Sequence, residues 1–205
     1  MKIFGIGMNY AEHNKELRQS LLTTEAPVVF TKADSALLTG GKPFFIPDFT
    51  QRCDHECELV VRIGRLGRSI SRRFAHRYVD AVTVGIDFTA RDLQEQLRAK
   101  GLPWDLCKGF DGSAVVGRFV PVADVGDVQD LHFSLHRNGR EVQAGHTAAM
   151  LHPVDELVSY ISQFFTLKTG DLIFTGTPAG VGPVAIDDHL DGYLQGEHLL
   201  SFNVK

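Results

Sequence analysis

Two glutamates, Glu56 and Glu58, stand at the start of an apolar run in the stretch CDHECELVVRIG, residues 53–64. Side chains two positions apart on a β-strand point to the same face and lie about 7 Å apart. The pattern therefore predicts two neighbouring carboxylates on one face of a strand. Val60 continues that face, and the opposite face carries Leu59, Val61 and Ile63. Such a strand belongs in a protein core.

The two carboxylates need a reason to be buried, because burying like charges without partners costs several kcal/mol. A raised pKa, a pair of basic partners or a divalent cation that accepts oxygen ligands would each remove the cost. The alternative is a strand edge on which both glutamates face water. We favour the cation, because the buried-strand pattern of Val79–Phe88 places a third carboxylate, Asp87, near its end.

The length of 205 residues predicts one domain, 1–205. Helices are predicted for residues 90–100 and 155–165, the second with an apolar stripe that we expect to be core. The dipeptide Asn138-Gly139 predicts a β-hairpin over residues 131–143. Further strands are predicted at residues 1–6, 27–32, 171–175 and 198–204. Periodicity alone therefore gives an α+β fold class.

Composition narrows the class of protein. A net charge of −4, with basic residues scattered, argues against a nucleic-acid surface. The one basic cluster, the arginines of residues 62–77, is interpreted as a solvated face or a subunit contact. Apolar runs are too short for a membrane span. The N-terminus has no secretory pattern and the three cysteines suggest free thiols, so a cytoplasmic protein is expected.

Four further features each allow two interpretations. His13 and Glu16 stand at i, i+3, as a base and the carboxylate that orients it, or as a surface contact. Arg91 begins a helix, where the dipole disfavours a cation; its partner is either Asp87 or Asp92, or else a substrate carboxylate. Lys108 is either a buried contact or directed outward. The loop TGTPAGVGP, with Thr177, either binds an anion or is a tight turn.

The stretches GIGMNYAEH, ECELVVRIG, GIDFTARDLQ, KGFDG and TGTPAGVGP, in this order, closely resemble the fumarylacetoacetate hydrolase family over nearly the whole chain. The resemblance is to its short, single-domain members, which act as acylpyruvate hydrolases or oxaloacetate decarboxylases. It implies a mixed β-sheet rolled on itself with a few peripheral helices, and a homodimer. Met8 and Arg118 depart from the family's usual residues and leave open how the far end of the substrate is bound.

The resemblance also implies roles for individual residues. Mg²⁺ or Mn²⁺ would be bound by Glu56, Glu58 and Asp87. The catalytic residues would be His13, Glu16 and Lys108. The residues that contact the substrate would be Arg91, Gln94 and Thr177.

The implied chemistry is cleavage next to the carbonyl of a small 2-oxo acid, through an enolate that a metal ion stabilises. Lys108 would add positive charge at that enolate. For an acylpyruvate, His13 oriented by Glu16 would activate water, whereas decarboxylation of oxaloacetate needs no water. Isomerisation of an unsaturated hydroxy diacid is a third use of this chemistry. The rival from another class is a non-catalytic, metal-stabilised binding domain.

Overall fold

The computed structural model describes residues 1–12 and 25–205, so the predicted catalytic residues His13 and Glu16 lie outside the described part of the chain. Fifteen strands are described in these two ranges. The first eight are β1 Ile3–Gly7, β2 Val28–Lys32, β3 Leu37–Leu38, β4 Cys53–His55, β5 Cys57–Ile63, β6 Val79–Asp87, β7 Thr89–Ala90 and β8 Ala114–Val116. The others are β9 Val120–Pro121, β10 His132–Arg137, β11 Arg140–His146, β12 Leu172–Phe174, β13 Gly182–Pro183, β14 His189–Leu194 and β15 Glu197–Asn203.

The helices are fewer and lie around the sheets. The α-helices of the described ranges are α1 Arg91–Ala99, α2 Asp105–Lys108, α3 Val122–Val125 and α4 Val154–Phe164. Short 3-10 helices cover Asp34–Ala36, Arg72–Tyr78 and Thr147–Ala149. No helix within residues 1–12 and 25–205 combines the length and apolar character that crossing a bilayer requires.

The largest sheet is mixed and has eight strands. Its order is β2-β1-β12-β5-β6-β8-β3, with β9 paired to β6. The pairs β1–β12 and β3–β8 are parallel, and the other pairs in this sheet are antiparallel. A four-stranded sheet, β11-β10-β14-β15, and a three-stranded sheet, β13-β4-β7, complete the fold. This is the mixed, curled α+β architecture that the resemblance implies.

Strand β5 confirms the predicted two-sided pattern. It pairs with β12 on one side and β6 on the other, so it is a central strand. Leu59, Val61 and Ile63 pack into the main core, whereas Val60 packs into a second cluster with Phe174 on the opposite face. Because both faces are covered, the alternative of a solvated strand edge is wrong.

The hairpin is also confirmed. Strands β10 and β11 flank Asn138 and Gly139, whose φ angles of 54° and 77° are those that a two-residue hairpin turn requires.

Both long helices form where predicted, with one difference in packing. Leu157 and Ile161 of α4 are buried, but Phe164 is 58% exposed and Tyr160 is half-buried. The apolar stripe of α4 is therefore only partly core. Its exposed end lines an apolar groove that is described below.

Candidate metal and substrate site

Three carboxylates meet where β5 and β6 are paired. Glu56 precedes β5, Glu58 lies on β5, and Asp87 ends β6. The backbone amide of Asp87 donates a 2.8 Å hydrogen bond to the carbonyl of Glu56, which fixes the two chain segments side by side. All three side chains are buried, and each offers a carboxylate oxygen within 4.8 Å of the other two. The structure thus brings together the residues predicted as metal ligands.

Glu58 has the least compensated charge of the three. Its Oε2 accepts a 2.7 Å hydrogen bond from the backbone amide of Gly176. In residues 1–12 and 25–205, no lysine or arginine forms an ion pair with it. Burial, together with the negative charges of Asp87 and Glu56, holds the pKa of Glu58 well above its ordinary value. Without a bound cation, this side chain therefore tends to keep its proton.

Lys108 joins the other two acids. Its Nζ donates to Glu56 Oε2 at 2.7 Å and to Asp87 Oδ2 at 2.8 Å. Burial alone would lower the pKa of Lys108, but Asp87 and Glu56 outweigh burial and raise it above the ordinary value. Lys108 is therefore a buried cation, and the alternative in which it points outward is wrong.

Lys32 is a second buried lysine that the sequence analysis did not single out. Its Nζ lies 2.6 Å from Asp87 Oδ1 and 2.9 Å from Ser113 Oγ, and it also donates to the carbonyl of Lys108. Burial lowers the pKa of Lys32, and the charge of Asp87 opposes this. In the sequence, Lys32 is an ordinary polar residue at the end of a strand. Lys32 belongs to the site because β2, at the edge of the large sheet, places its ammonium group beside Asp87.

Each of the three guanidinium nitrogens of Arg91 has one protein acceptor. Its Nε lies 2.8 Å from Asp54 Oδ2, its Nη2 lies 2.5 Å from Glu56 Oε1, and its Nη1 lies 2.5 Å from Gln94 Oε1. The compensating acids are therefore Asp54 and Glu56, and neither Asp87 nor Asp92 was the correct choice. Glu56 and Asp54 outweigh burial and raise the pKa of Arg91, so the guanidinium remains charged.

Asp92 has another partner. The N-cap residue of α1 is Ala90, and no side chain caps this helix. Asp92 instead accepts hydrogen bonds from the hydroxyl of Thr50 and the backbone amide of Gln51. Helix α1 is thereby tied to the segment before β4.

Thr177 is fixed by a buried glutamine on the hairpin. Gln143 Nε2 donates to Thr177 Oγ1 at 2.9 Å, and Thr177 Oγ1 donates to the carbonyl of Cys57 at 2.8 Å. Gln143 Oε1 accepts from the amide of Cys57 and lies 2.9 Å from His55 Nδ1. This network holds the TGTPAGVGP loop against β5. Because the Thr177 hydroxyl hydrogen already has an acceptor, the side chain is a fixed part of the wall.

A cavity opens over these groups. It is lined on the polar side by Glu56, Arg91, Gln94, Arg98, Lys108 and Thr177, and on the apolar side by Ile6, Gly7, Met8, Phe30 and Trp104. Met8 thus contributes to the wall, with a left-handed φ of 61°. Arg118 does not line the cavity; it is an exposed residue that pairs with Glu197. Arg118 is therefore not positioned to select the substrate from this cavity.

The donor set suits a hard divalent cation. The three carboxylates supply oxygen ligands, which Mg²⁺ and Mn²⁺ prefer. Asp87 Oδ1 is buried and accepts no hydrogen bond, because Lys32 approaches it outside hydrogen-bonding geometry. Around the site, the buried acids Asp54, Glu56, Glu58 and Asp87 outnumber the buried cations Lys32, Arg91 and Lys108. The residues present fit a bound cation.

Comparison with known proteins agrees with this geometry. Residues 2–204 match the family model described as fumarylacetoacetate (FAA) hydrolase C-terminal. The mouse protein named mitochondrial oxaloacetate tautomerase FAHD1 is 40% identical over 200 residues, which are 98% of this chain and 90% of that protein.

Two solved structures share the fold. Fumarylpyruvate hydrolase from Pseudomonas aeruginosa, in complex with Mn²⁺ and pyruvate, superimposes with a TM-score of 0.93 at 36% identity, covering 100% of this chain and 89% of that one. A 2-hydroxyhepta-2,4-diene-1,7-dioate isomerase from Mycobacterium marinum superimposes with a TM-score of 0.85 at 33% identity, covering 99% of this chain and 73% of that one. The chain belongs to the fumarylacetoacetate hydrolase family.

Proposed function

We propose that this protein is a metal-dependent enzyme that acts on a small 2-oxo acid by forming an enolate next to its carbonyl group. The observation that carries the proposal is the contact of one ammonium group, that of Lys108, with two carboxylates of the buried triad at 2.7 and 2.8 Å. The ammonium group of Lys108 and one acid of the triad, Glu56, both line a single cavity.

The metal would be Mg²⁺ or Mn²⁺, held by Glu56, Glu58 and Asp87. Bound there, it would polarise the carbonyl of the 2-oxo acid and stabilise the enolate charge.

Lys108 is suited to electrostatic stabilisation and not to proton removal. An ammonium group has three N–H donors, and two of those of Lys108 are directed to Glu56 and Asp87. The third remains for an oxygen of the substrate. Asp87 and Glu56 raise the pKa of Lys108, which favours its charged form, and this form can donate to the developing oxyanion. The base must be another residue, and we propose His13, oriented by Glu16.

Arg91 and Gln94 would form the carboxylate-binding side of the cavity. Hydrogen bonds to Asp54, Glu56 and Gln94 hold the guanidinium plane of Arg91 in one orientation, so binding a substrate would cost little side-chain entropy. Thr177 would complete this wall from the opposite loop.

The first candidate reaction is keto–enol tautomerisation of oxaloacetate. The mouse relative is named an oxaloacetate tautomerase, and the match covers 98% of this chain and 90% of that protein. A proton leaves the carbon next to the carbonyl and returns to the enolate oxygen, so no bond between heavy atoms breaks. The second candidate is hydrolysis of an acylpyruvate such as fumarylpyruvate, supported by the Pseudomonas relative. Decarboxylation of oxaloacetate and isomerisation of a hydroxy diacid would use the same enolate.

A substrate panel tests the proposal. The enzyme with Mg²⁺ or Mn²⁺ would be given oxaloacetate, acetylpyruvate, fumarylpyruvate and a hydroxymuconate-type diacid. Loss of enol absorbance, formation of pyruvate and loss of the acylpyruvate chromophore distinguish the reactions. We expect turnover of at least one substrate that Lys108→Met abolishes and Lys205→Met leaves intact. If no member of the panel reacts, the non-catalytic binding domain becomes the better description.

We also propose a cytoplasmic homodimer, as the family resemblance implies. Light scattering should give twice the chain mass of 22.7 kDa at micromolar concentration. A monomer there would remove the dimer without affecting the proposed chemistry.

A further inference from the structure

Two cavities lie side by side at the site and differ in character. The first is the polar cavity above the acid triad, with a volume of about 40 Å³. The second is an open groove of about 710 Å³ with a mostly apolar lining, which includes Val28, Leu102, Tyr160 and Phe164. Among the described residues, only Phe30 and Trp104 line both spaces. These two rings therefore form the partition between the polar cavity and the groove.

Strand β1 supports both rings through its glycines. Phe30 is paired with Gly5, and a Cβ on Gly5 would lie 2.2 Å from the tip of the Phe30 ring. A Cβ on Gly7 would lie 3.2 Å from Trp104 Cζ3. The sequence Gly5-Ile6-Gly7 thus provides two bare positions on one face of the strand, against which the rings pack. The closely spaced glycines have a steric role in this fold.

The rings also contact each other and the polar site. Their centroids are 5.9 Å apart at an angle of 62°, an edge-to-face arrangement that favours a fixed geometry. Lys108 Nζ lies 5.4 Å from the centroid of Phe30. The partition therefore begins directly beside the ammonium group that would face the substrate oxygen. A chain extending from the reacting carbon away from the triad would meet these rings first.

We infer that Trp104, supported by Phe30, is a specificity-determining residue that limits the length of the 2-oxo acid. The inference rests on the proposed function. It limits the substrates to 2-oxo acids that are short enough to fit on the polar side of the Phe30 and Trp104 rings. Replacing Trp104 with a small residue would join the polar cavity to the groove. Longer acids with an unbranched alkyl tail would then bind, with the tail in the groove.

Trp104 contributes to the turn before Lys108 through its backbone, so its side chain can be replaced without removing that contribution. Its carbonyl accepts hydrogen bonds from the amides of Cys107 and Lys108, at 3.1 and 2.9 Å, and so begins the turn that carries Lys108. A change of side chain leaves this carbonyl in place. Trp104→Ala removes the partition, and Trp104→Phe is the matched control that keeps an aromatic ring there.

The test measures the binding of pyruvate, 2-oxobutyrate, 2-oxohexanoate and 2-oxooctanoate by calorimetry, with Mg²⁺ present. The quantity compared is the change in affinity per added CH₂, which does not depend on the absolute affinity of a variant. In Trp104→Ala we expect affinity to rise by about fourfold per CH₂ as the tail enters apolar surroundings. In the wild-type protein and in Trp104→Phe, affinity should fall as the chain grows.

Fluorescence gives an independent measurement, because Trp104 is the only tryptophan of the chain. Binding of pyruvate to the wild-type protein should shift its emission, since the indole lines the cavity. The same length dependence in Trp104→Ala as in the wild-type protein would overturn the inference, as would pyruvate binding without a change in emission. If no 2-oxo acid binds to any of the three proteins, the proposed function fails first and the inference fails with it.

Discussion

The ammonium group of Lys32 lies 2.6 Å from Asp87 Oδ1, and both side chains are almost fully buried. The two residues are 55 positions apart in the sequence, and three strands separate β2 from β6 in the large sheet, so the curl of the sheet brings them together. Lys108 contacts the other oxygen of the same carboxylate. Asp87 is thus placed between two lysines, and the loss of either would leave buried charge with less compensation.

Lys32→Met is expected to destabilise the protein in the absence of divalent ions. Removing one partner of a buried ion pair costs roughly 3–5 kcal/mol; we expect a value near the lower end, because Lys108 still contacts Asp87. Urea denaturation measures the free energy of unfolding. The matched control is Lys205→Met, whose exposed pair with Asp187 should contribute less than about 1 kcal/mol. If the two substitutions lowered the free energy of unfolding equally, the buried Lys32–Asp87 contact would stabilise the protein no more than an exposed ion pair does.

Asp87→Asn should weaken Mn²⁺ binding by more than the roughly 10- to 100-fold that loss of an outer-shell partner costs, because a ligand itself is changed. Mn²⁺ binding is followed by paramagnetic resonance or calorimetry. Asp171→Asn is the control, since Asp171 is also a buried acid paired with a lysine, Lys2, but lies outside the triad. The triad is wrongly assigned if both variants bind Mn²⁺ as the wild-type protein does.

The three cysteines should be unreactive in the folded protein. All are free and buried, and burial raises the pKa of Cys53 to about 12 and that of Cys107 to about 11. Burial also raises the pKa of Cys57 well above its ordinary value. Because the thiolate is the reactive form, a thiol reagent at pH 8 should label none of them quickly and all three after unfolding in urea. Rapid labelling of one native thiol would contradict this.

His13→Ala separates the two kinds of cleavage. Hydrolysis of an acylpyruvate should fall by roughly 10²- to 10⁴-fold, which is the usual contribution of a general base. Decarboxylation of oxaloacetate should fall much less, because it needs no activated water. Glu58→Ala should remove both activities. Mn²⁺ binding by the His13 variant has to be checked beforehand, and wild-type rates of hydrolysis in that variant would mean that His13 is not the base.

Local patterns predicted much of the framework. The alternation at Glu56–Ile63 and the apolar run before Asp87 were sufficient to predict β5 and β6, because each pattern lies within one element. The family resemblance implied that the three acids of these strands form one site. The Asn138-Gly139 turn likewise identified its hairpin. These features depend on neighbours in the sequence and so can be read from it.

Contacts between separate strands could not be predicted in the same way. Lys32 on β2, Asp54 on β4 and Gln143 on β11 contact Asp87, Arg91 and Thr177, which are distant from them in the sequence. Asp92 was wrong as the partner of Arg91, because its carboxylate accepts a hydrogen bond from the hydroxyl of Thr50, 42 residues earlier. Tertiary contacts decided these cases.

Because β5 is a central strand, an ion bound at its start should slow hydrogen exchange along the strand. Its amides are hydrogen-bonded within a ladder that has strands on both sides, and amides in such positions exchange with solvent mainly through global unfolding. A cation that binds only the folded chain at 100 times its dissociation constant would add about 2.7 kcal/mol to that unfolding free energy. Hydrogen exchange at β5 would therefore slow by about a hundredfold, and it would report the affinity of the ion without any substrate.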